Sequence, residues 1–137
     1  MLCLCALQDM LFVLDLSGNG FTSVVPVELA TCVGITTLFL GGNNLSSIVP
    51  MELFSSRQLQ KIDLRSNALI GDIPAPSGTT VLEYLDLSNN SLTNIISSLL
   101  SMLSKLSHLD LGINQLTIPM PELLSHCRLY FLGIYRN

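Results

Sequence analysis

One asparagine recurs at a nearly constant interval along the chain, at positions 19, 43, 67, 90, 114 and 137. Each ends the same nine-residue frame, L-x-x-L-x-L-x-x-N, in which isoleucine sometimes replaces leucine. Intervals of 23 or 24 residues are typical of a copied supersecondary unit. Because such a unit cannot bury its apolar face alone, the copies must stack, and the sequence predicts a solenoid.

Each frame contains a short alternating segment such as Leu85-Asp86-Leu87, with the period of a β-strand. The leucines are predicted to point into the core and the middle residue outward. Stacked strands of this kind form one parallel sheet, which needs a crossover between neighbours. The crossovers of about 15 to 18 residues have room for a turn and a short helical or 3₁₀ segment.

The repeated asparagine has a structural explanation. An asparagine side chain offers both an amide donor and a carbonyl acceptor, and it can bond the backbone of adjacent turns. Asparagines stacked at one height are therefore predicted to form a ladder, at Asn19, Asn43, Asn67, Asn90, Asn114 and Asn137.

Composition excludes several classes of function. The net charge is −4, and the six Lys and Arg residues are scattered, which argues against a nucleic-acid partner. No uncharged apolar stretch is long enough to span a membrane. The apolar N-terminus lacks a basic segment, so it is not a convincing signal peptide.

We expect no chemistry from this chain, and therefore no catalytic, cofactor-binding or metal-binding residues. The two histidines, His108 and His126, form no recognisable Ser-His-Asp group. The four cysteines do not have the pattern of a disulfide framework or a metal site, and they are interpreted as small apolar fillers. These are Cys3, Cys5, Cys32 and Cys127.

The third crossover reads Leu69-Ile70-Gly71-Asp72-Ile73-Pro74, an L-x-G-x-I-P motif. With the frames, it resembles the plant-specific class of leucine-rich repeats in the ectodomains of plant receptor kinases and receptor-like proteins. The resemblance implies an α/β solenoid, a right-handed curved array with one parallel sheet on its concave face. It assigns residues 11–137 to five complete repeats plus a truncated sixth, and residues 1–10 to the remnant of a preceding repeat.

The crossovers also depart from the family motif. Ser23, Ser47 and Asn94 stand where the family has glycine, and a serine there is strained if φ is positive. Family-type terminal caps and a kinase domain are not recognised, so we expect a fragment that self-associates when isolated.

Outward strand residues form the candidate binding surface. An aspartate column and nearby aromatic residues are predicted to bind a peptide that carries a basic group; alternatively, the carboxylates are solvated or bonded to neighbours. The candidate ligand-binding residues are Tyr84, Asp86, His108, Asp110, Phe131 and Tyr135.

The resemblance implies non-enzymatic recognition of a peptide or protein ligand, with a co-receptor as a further partner. The parent would be a Ser/Thr receptor kinase, with this segment on the extracellular face of the plasma membrane. Two N-x-S sequons, at Asn44 and Asn89, are compatible with glycosylation. The alternatives are an intracellular scaffold or immune-receptor segment, and a non-functional gene fragment.

Overall fold

The computed structural model describes residues 11–117 and 128–137. The assignment of residues 1–10 to a preceding repeat lies outside this part of the chain. So do Cys3, Cys5, His126 and Cys127.

The predicted strands form one parallel six-stranded sheet. Its register pairs Leu14 with Leu38, Leu38 with Ile62, and Leu85 with Leu109. These side chains are at most 6% exposed, whereas their strand neighbours point away from the core. The solenoid prediction is therefore confirmed. In spatial order, the strands are β1 (Val13–Asp15), β3 (Thr37–Phe39), β5 (Lys61–Asp63), β7 (Tyr84–Asp86), β9 (His108–Asp110) and β11 (Phe131–Gly133).

A second parallel sheet lies in the crossovers, and the sequence interpretation missed it. Each of its strands begins within three residues of a frame asparagine. All but the shortest strand, Thr22–Ser23, place one leucine side chain inward, as at Leu45, Leu69 and Leu92. The flanking residues are mostly exposed, which is the alternation of a half-buried strand. Its strands are β2 (Thr22–Ser23), β4 (Asn44–Ser47), β6 (Ala68–Gly71), β8 (Ser91–Ile95) and β10 (Gln115–Thr117).

Short helical segments complete three of the described crossovers, as predicted. Val27–Thr31 and Ser98–Met102 are 3₁₀ segments, and α1 spans Met51–Phe54. The crossover 72–83 has no helix. Pro74 and Pro76 explain this difference, because proline disfavours helical conformation in the residue before it and lacks an amide donor.

The asparagine column makes the hydrogen bonds of a ladder. Asn90 accepts at Oδ1 from the Leu69 backbone amide (3.1 Å) and donates from Nδ2 to the carbonyls of Leu64 (3.1 Å) and Leu87 (3.0 Å). The Asn90 side chain thus links its own turn to the preceding repeat, whereas Asn19, within the described residues, donates to the carbonyls of Leu16 and Ser17 in its own turn. The same acceptor and donor pattern occurs at Asn43, Asn67, Asn114 and Asn137.

The crossover position that holds glycine in the family has a positive φ in every described case. The angle is 83° at Ser23, 100° at Ser47, 78° at Gly71 and 67° at Asn94. A Cβ atom in this region meets the neighbouring carbonyl. The condition under which a serine is strained is therefore met at Ser23 and Ser47.

We expect Ser47→Gly to raise the free energy of unfolding by about 0.5–1 kcal/mol, because relief of Cβ strain exceeds the entropy that glycine adds to the unfolded chain. Ser46→Gly is the matched control, because Ser46 lies in the same strand and undergoes the same chemical change but does not have a positive φ. It should lower stability by about 0.5–1 kcal/mol. Urea denaturation of both variants checks the prediction, and two shifts of the same sign would contradict it.

Cys32 corrects one sequence interpretation. It is 2% exposed, as expected of an apolar filler, but it is disulfide-bonded. The interpretation of the cysteines as unpaired fillers is therefore wrong for Cys32. The spacing of cysteines in a sequence cannot show which side chains come close enough to pair.

Candidate functional site

The outward side chains of the six-stranded sheet form a surface that we call the strand face. Register places Tyr84, His108 and Phe131 side by side on β7, β9 and β11. Asp86 and Asp110 are adjacent in the next outward row. Tyr135, just beyond β11, is 51% exposed. The structure thus brings the six predicted ligand-binding residues onto three consecutive repeats.

Three rings on this face form a continuous aromatic stack. The His108 imidazole lies 4.2 Å from the Tyr84 ring and 4.3 Å from the Phe131 ring, at interplanar angles of 11° and 7°. Tyr130 adds a tilted contact, with its ring centre 6.0 Å from that of His108. This residue was not among the sequence candidates, and at 77% exposure it is the most accessible ring of the group.

The Asp86 side chain is largely buried and already accepts hydrogen bonds within the protein. Its side chain is 4% exposed, and Oδ1 accepts from the Ser88 backbone amide (2.9 Å) and hydroxyl (2.6 Å). This arrangement matches the alternative in which the carboxylate bonds a neighbouring serine. A ligand has little access to Asp86.

Asp110 is more accessible. Its Oδ1 accepts from the Gly112 backbone amide at 2.9 Å, and the side chain is half-buried. It leans over Gly133, where an added Cβ would lie 2.3 Å from Oδ1. The ring of Tyr135 covers Gly112 in the same way, with an added Cβ 2.5 Å from Cε1. Two glycines therefore allow acidic and aromatic groups to lie close against the sheet.

Asp63 continues the acidic row toward the N-terminus. Its Oδ1 accepts from the Arg65 amide (3.0 Å), and its Oδ2 pairs with Arg65 Nε at 3.3 Å. Burial nevertheless raises the pKa of Asp63 above its usual value of 3.8; the Arg65 contacts oppose this shift, and the nearby charge of Asp86 adds to it. Burial also raises the pKa of Tyr84, with a further contribution from Asp86.

We expect Asp63→Asn to raise the urea midpoint at pH 7, with a smaller gain at pH 3. Because the pKa of Asp63 is raised in the folded state, ionisation of this side chain destabilises the fold. The protein therefore loses stability as pH rises from below 3.8 through the folded pKa of Asp63. Asparagine keeps an acceptor for the Arg65 amide and does not ionise.

Asp15→Asn is the opposite-sign control, at the same frame position in repeat one. Hydrogen bonds from the Ser17 amide and hydroxyl lower the pKa of Asp15, so its charged form stabilises the fold. Its replacement should lower the midpoint at pH 7. A lower midpoint for Asp63→Asn at pH 7 would contradict the prediction.

A cavity of about 490 Å³ extends the strand face toward the N-terminal repeats. Phe39, Lys61 and Arg65 line it together with Tyr84. The candidate residues from the sequence did not include these three. Their outward positions in the frame could have identified them. Asp15 and Asp63 also line the cavity, so its charges are mixed, and Arg65 is already paired with Asp63.

Both sequon asparagines are exposed. Asn44 begins β4 of the five-stranded sheet, whereas Asn89 follows β7 and donates from Nδ2 to Ser66 Oγ at 3.0 Å. A glycan on Asn89 would therefore stand just beyond the end of β7, and one on Asn44 at the start of β4.

Among residues 11–117 and 128–137, no three His, Cys, Asp or Glu side chains are grouped to hold a metal ion. The helices of that same part of the chain are all too short or too polar to cross a membrane.

Family models establish the class of protein. Leucine-rich-repeat models match residues 10–69 and 81–103, which together are more than half of the chain. The chain belongs to the leucine-rich-repeat family. A comparison with curated proteins found no match.

Solved structures of plant receptor ectodomains have a similar fold. A chain of the BIR3–SERK2 complex from Arabidopsis thaliana has a TM-score of 0.72 and 33% identity, over 81% of this chain and 60% of that one. The ectodomain of the Arabidopsis receptor kinase HAESA, in complex with an IDA peptide hormone, has a TM-score of 0.81 and 32% identity over 89% and 21%. This chain thus spans only part of either protein.

A plant ice-binding protein also shares the fold. Its TM-score is 0.78 at 26% identity, over 96% of this chain and 43% of that one. The fold therefore does not determine the function by itself, and the chemistry of the surface distinguishes the possible functions.

Proposed function

We propose that this chain is a recognition segment of a plant receptor ectodomain that binds an extended peptide across its strand face. The aromatic stack of Tyr84, His108 and Phe131 is the observation that carries the proposal. It presents apolar surface on three adjacent strands. Aromatic side chains at such positions are enriched among residues that dominate binding energy.

The polar groups around the stack suit a peptide with separated charges. Asp110 lies in the outward row next to the stack and accepts a basic group. Lys61 lies beside Tyr84 on the neighbouring strand and accepts an acidic one, whereas Arg65 is already paired with Asp63. Asp86 contributes little directly, because it is 4% exposed. The ligand class is therefore a peptide with an apolar centre and polar groups of opposite charge.

The same proposal covers the cellular setting. HAESA is a receptor kinase whose ectodomain is in complex with a peptide hormone, and this chain resembles that ectodomain. The role of the segment is recognition, with catalysis left to a kinase domain of the parent receptor and a co-receptor as a further partner.

The disulfide of Cys32 supports an extracellular location over the alternative of an intracellular scaffold. Structural disulfides persist in oxidising compartments and are rare in the cytosol. Glycosylation at Asn44 and Asn89 belongs to the same proposal.

A peptide selection tests the function. Random 16-residue peptides displayed on phage are selected against the full 137-residue chain, and the affinity of each selected peptide is measured by calorimetry. Phe131→Ala should weaken binding at least about tenfold. Arg57→Ala, an exposed change outside the strand face, should leave the affinity unchanged. Equal loss in both variants, or loss in Arg57→Ala alone, would overturn the proposal.

A further inference from the structure

A second concave surface lies away from the strand face, and we call it the lateral groove. It has a volume of about 700 Å³ and is formed where the chain leaves β2, β4 and β6. Its apolar lining includes Val24, Val27, Ile48, Met51, Gly71 and Pro74.

Four aliphatic side chains of this groove are unusually exposed. Ile48 is 62% exposed, Val24 54%, Val27 46% and Met51 44%. Val24 and Ile48 stand five residues after their frame asparagines, and Val27 and Met51 stand eight residues after them. Because repeats stack about 4.8 Å apart, equal positions become neighbours. The result is a contiguous apolar patch, which marks an interaction site more often than isolated exposed residues do.

Gly71 lets Ile48 lie directly on the backbone of repeat three. A Cβ added to Gly71 would stand 3.0 Å from Ile48 Cγ2, and φ at Gly71 is 78°. This close approach fixes one wall of the groove.

Among the residues that the structure describes, the charged lining of the groove is acidic only. Glu52 and Asp72 line it, and none of the Lys or Arg residues does. Both carboxylates belong to exposed residues, and Asp72 Oδ1 accepts from Asn94 Nδ2. An occupant that fits must therefore combine aliphatic side chains with positive charge.

We propose that the lateral groove binds a segment of another protein in which aliphatic side chains alternate with lysine or arginine. Aliphatic groups would cover Val24, Ile48 and Met51, and the cations would face Glu52 and Asp72. A two-fold dimer through this groove would bring the acidic groups of both copies together, which costs binding energy. Charge complementarity thus selects a different protein rather than a second copy. The proposal is independent of peptide binding at the strand face.

The test uses the full chain and three labelled 12-residue peptides, measured by fluorescence anisotropy. One repeats Leu-Lys-Ser four times, the second replaces lysine by glutamate, and the third replaces leucine by alanine. The leucine–lysine peptide should bind at least about tenfold more tightly than either counterpart, and added salt should weaken it.

Variants locate the binding. Ile48→Ser should weaken the binding of the leucine–lysine peptide about tenfold. Ile70→Ser is the matched control, because Ile70 is 51% exposed but does not line the groove. The double variant Glu52→Lys, Asp72→Lys should reverse the preference toward the glutamate peptide. Tyr84→Ala, on the strand face, should change nothing.

Three results would overturn the proposal. In the first, Ile48→Ser and Ile70→Ser have the same effect. In the second, the charge-reversed variant keeps its preference for lysine. In the third, sedimentation shows that the chain self-associates and that Ile48→Ser disperses it, which would assign the groove to a second copy.

Discussion

Asn67→Leu will lower the free energy of unfolding by about 2–4 kcal/mol, a large effect for one substitution. The Asn67 carbonyl accepts from the Leu45 amide at 3.0 Å, and its amide donates to the carbonyls of Leu40 (3.1 Å) and Leu64 (3.0 Å). Leucine makes none of these bonds. Backbone groups of buried residues in two repeats would then be left unpaired.

Asn44→Leu is the control for this substitution. Asn44 neighbours the ladder residue Asn43 in sequence, but it is exposed at the start of β4. Its replacement should change stability by less than about 0.5 kcal/mol. Urea midpoints of the full chain and both variants give the comparison. A loss below about 0.5 kcal/mol for Asn67→Leu would show that the ladder contributes little.

Tyr84→Ala will weaken the binding of a peptide to the strand face by about 2 kcal/mol or more, which corresponds to a roughly thirtyfold loss of affinity. Its ring packs at 4.2 Å on His108, so alanine removes both a contact surface for the ligand and the support of the next ring. Asp86→Asn should cost at most about 1 kcal/mol, because Asp86 is 4% exposed and asparagine keeps an acceptor for the Ser88 amide.

Calorimetry with peptides selected on the unmodified chain compares the two variants. Urea midpoints measured in parallel separate lost binding from lost folding. A greater loss for Asp86→Asn than for Tyr84→Ala would contradict this ranking and would make the acidic row the main determinant of affinity.

The frame asparagine and its leucines predicted the six-stranded sheet because every repeat uses the same positions for the same contacts. The second sheet was harder to predict. Its strands have two to five residues. The four longer ones each contribute one buried leucine side chain, which a crossover without a strand would also bury. Short alternation of this kind does not distinguish the two.

The sequence also indicated only some of the unusual backbone angles. Comparison with the family motif identified Ser23 and Ser47 as strained only if φ is positive, and the structure supplied the positive angles. The sequence interpretation did not predict the left-handed residue before each ladder asparagine. Gly18 and Gly42 were the available signal, but Ile113 and Arg136 occupy the same position with φ of 55° and 54°. A β-branched residue there conceals the pattern, because its own preference is for negative φ.

The site was predictable in position but not in detail. Spacing placed Tyr84, His108 and Phe131 on adjacent strands, but their parallel stacking depends on side-chain rotamers that spacing does not specify. Tyr130 was missed because its frame position is not one of the strand's outward positions. Burial of Asp86 depends on the neighbouring rows, so it also required the structure.

Photo-crosslinking tests most directly whether the strand face is the binding surface. Tyr135 and Ile70 are each 51% exposed, on the strand face and on the five-stranded sheet respectively. Each is replaced in turn by benzoylphenylalanine in the full chain, which is then irradiated with a selected peptide. We expect a crosslinked product at position 135 that excess unlabelled peptide abolishes, and none at position 70. Crosslinking at position 70 without crosslinking at position 135 would contradict it.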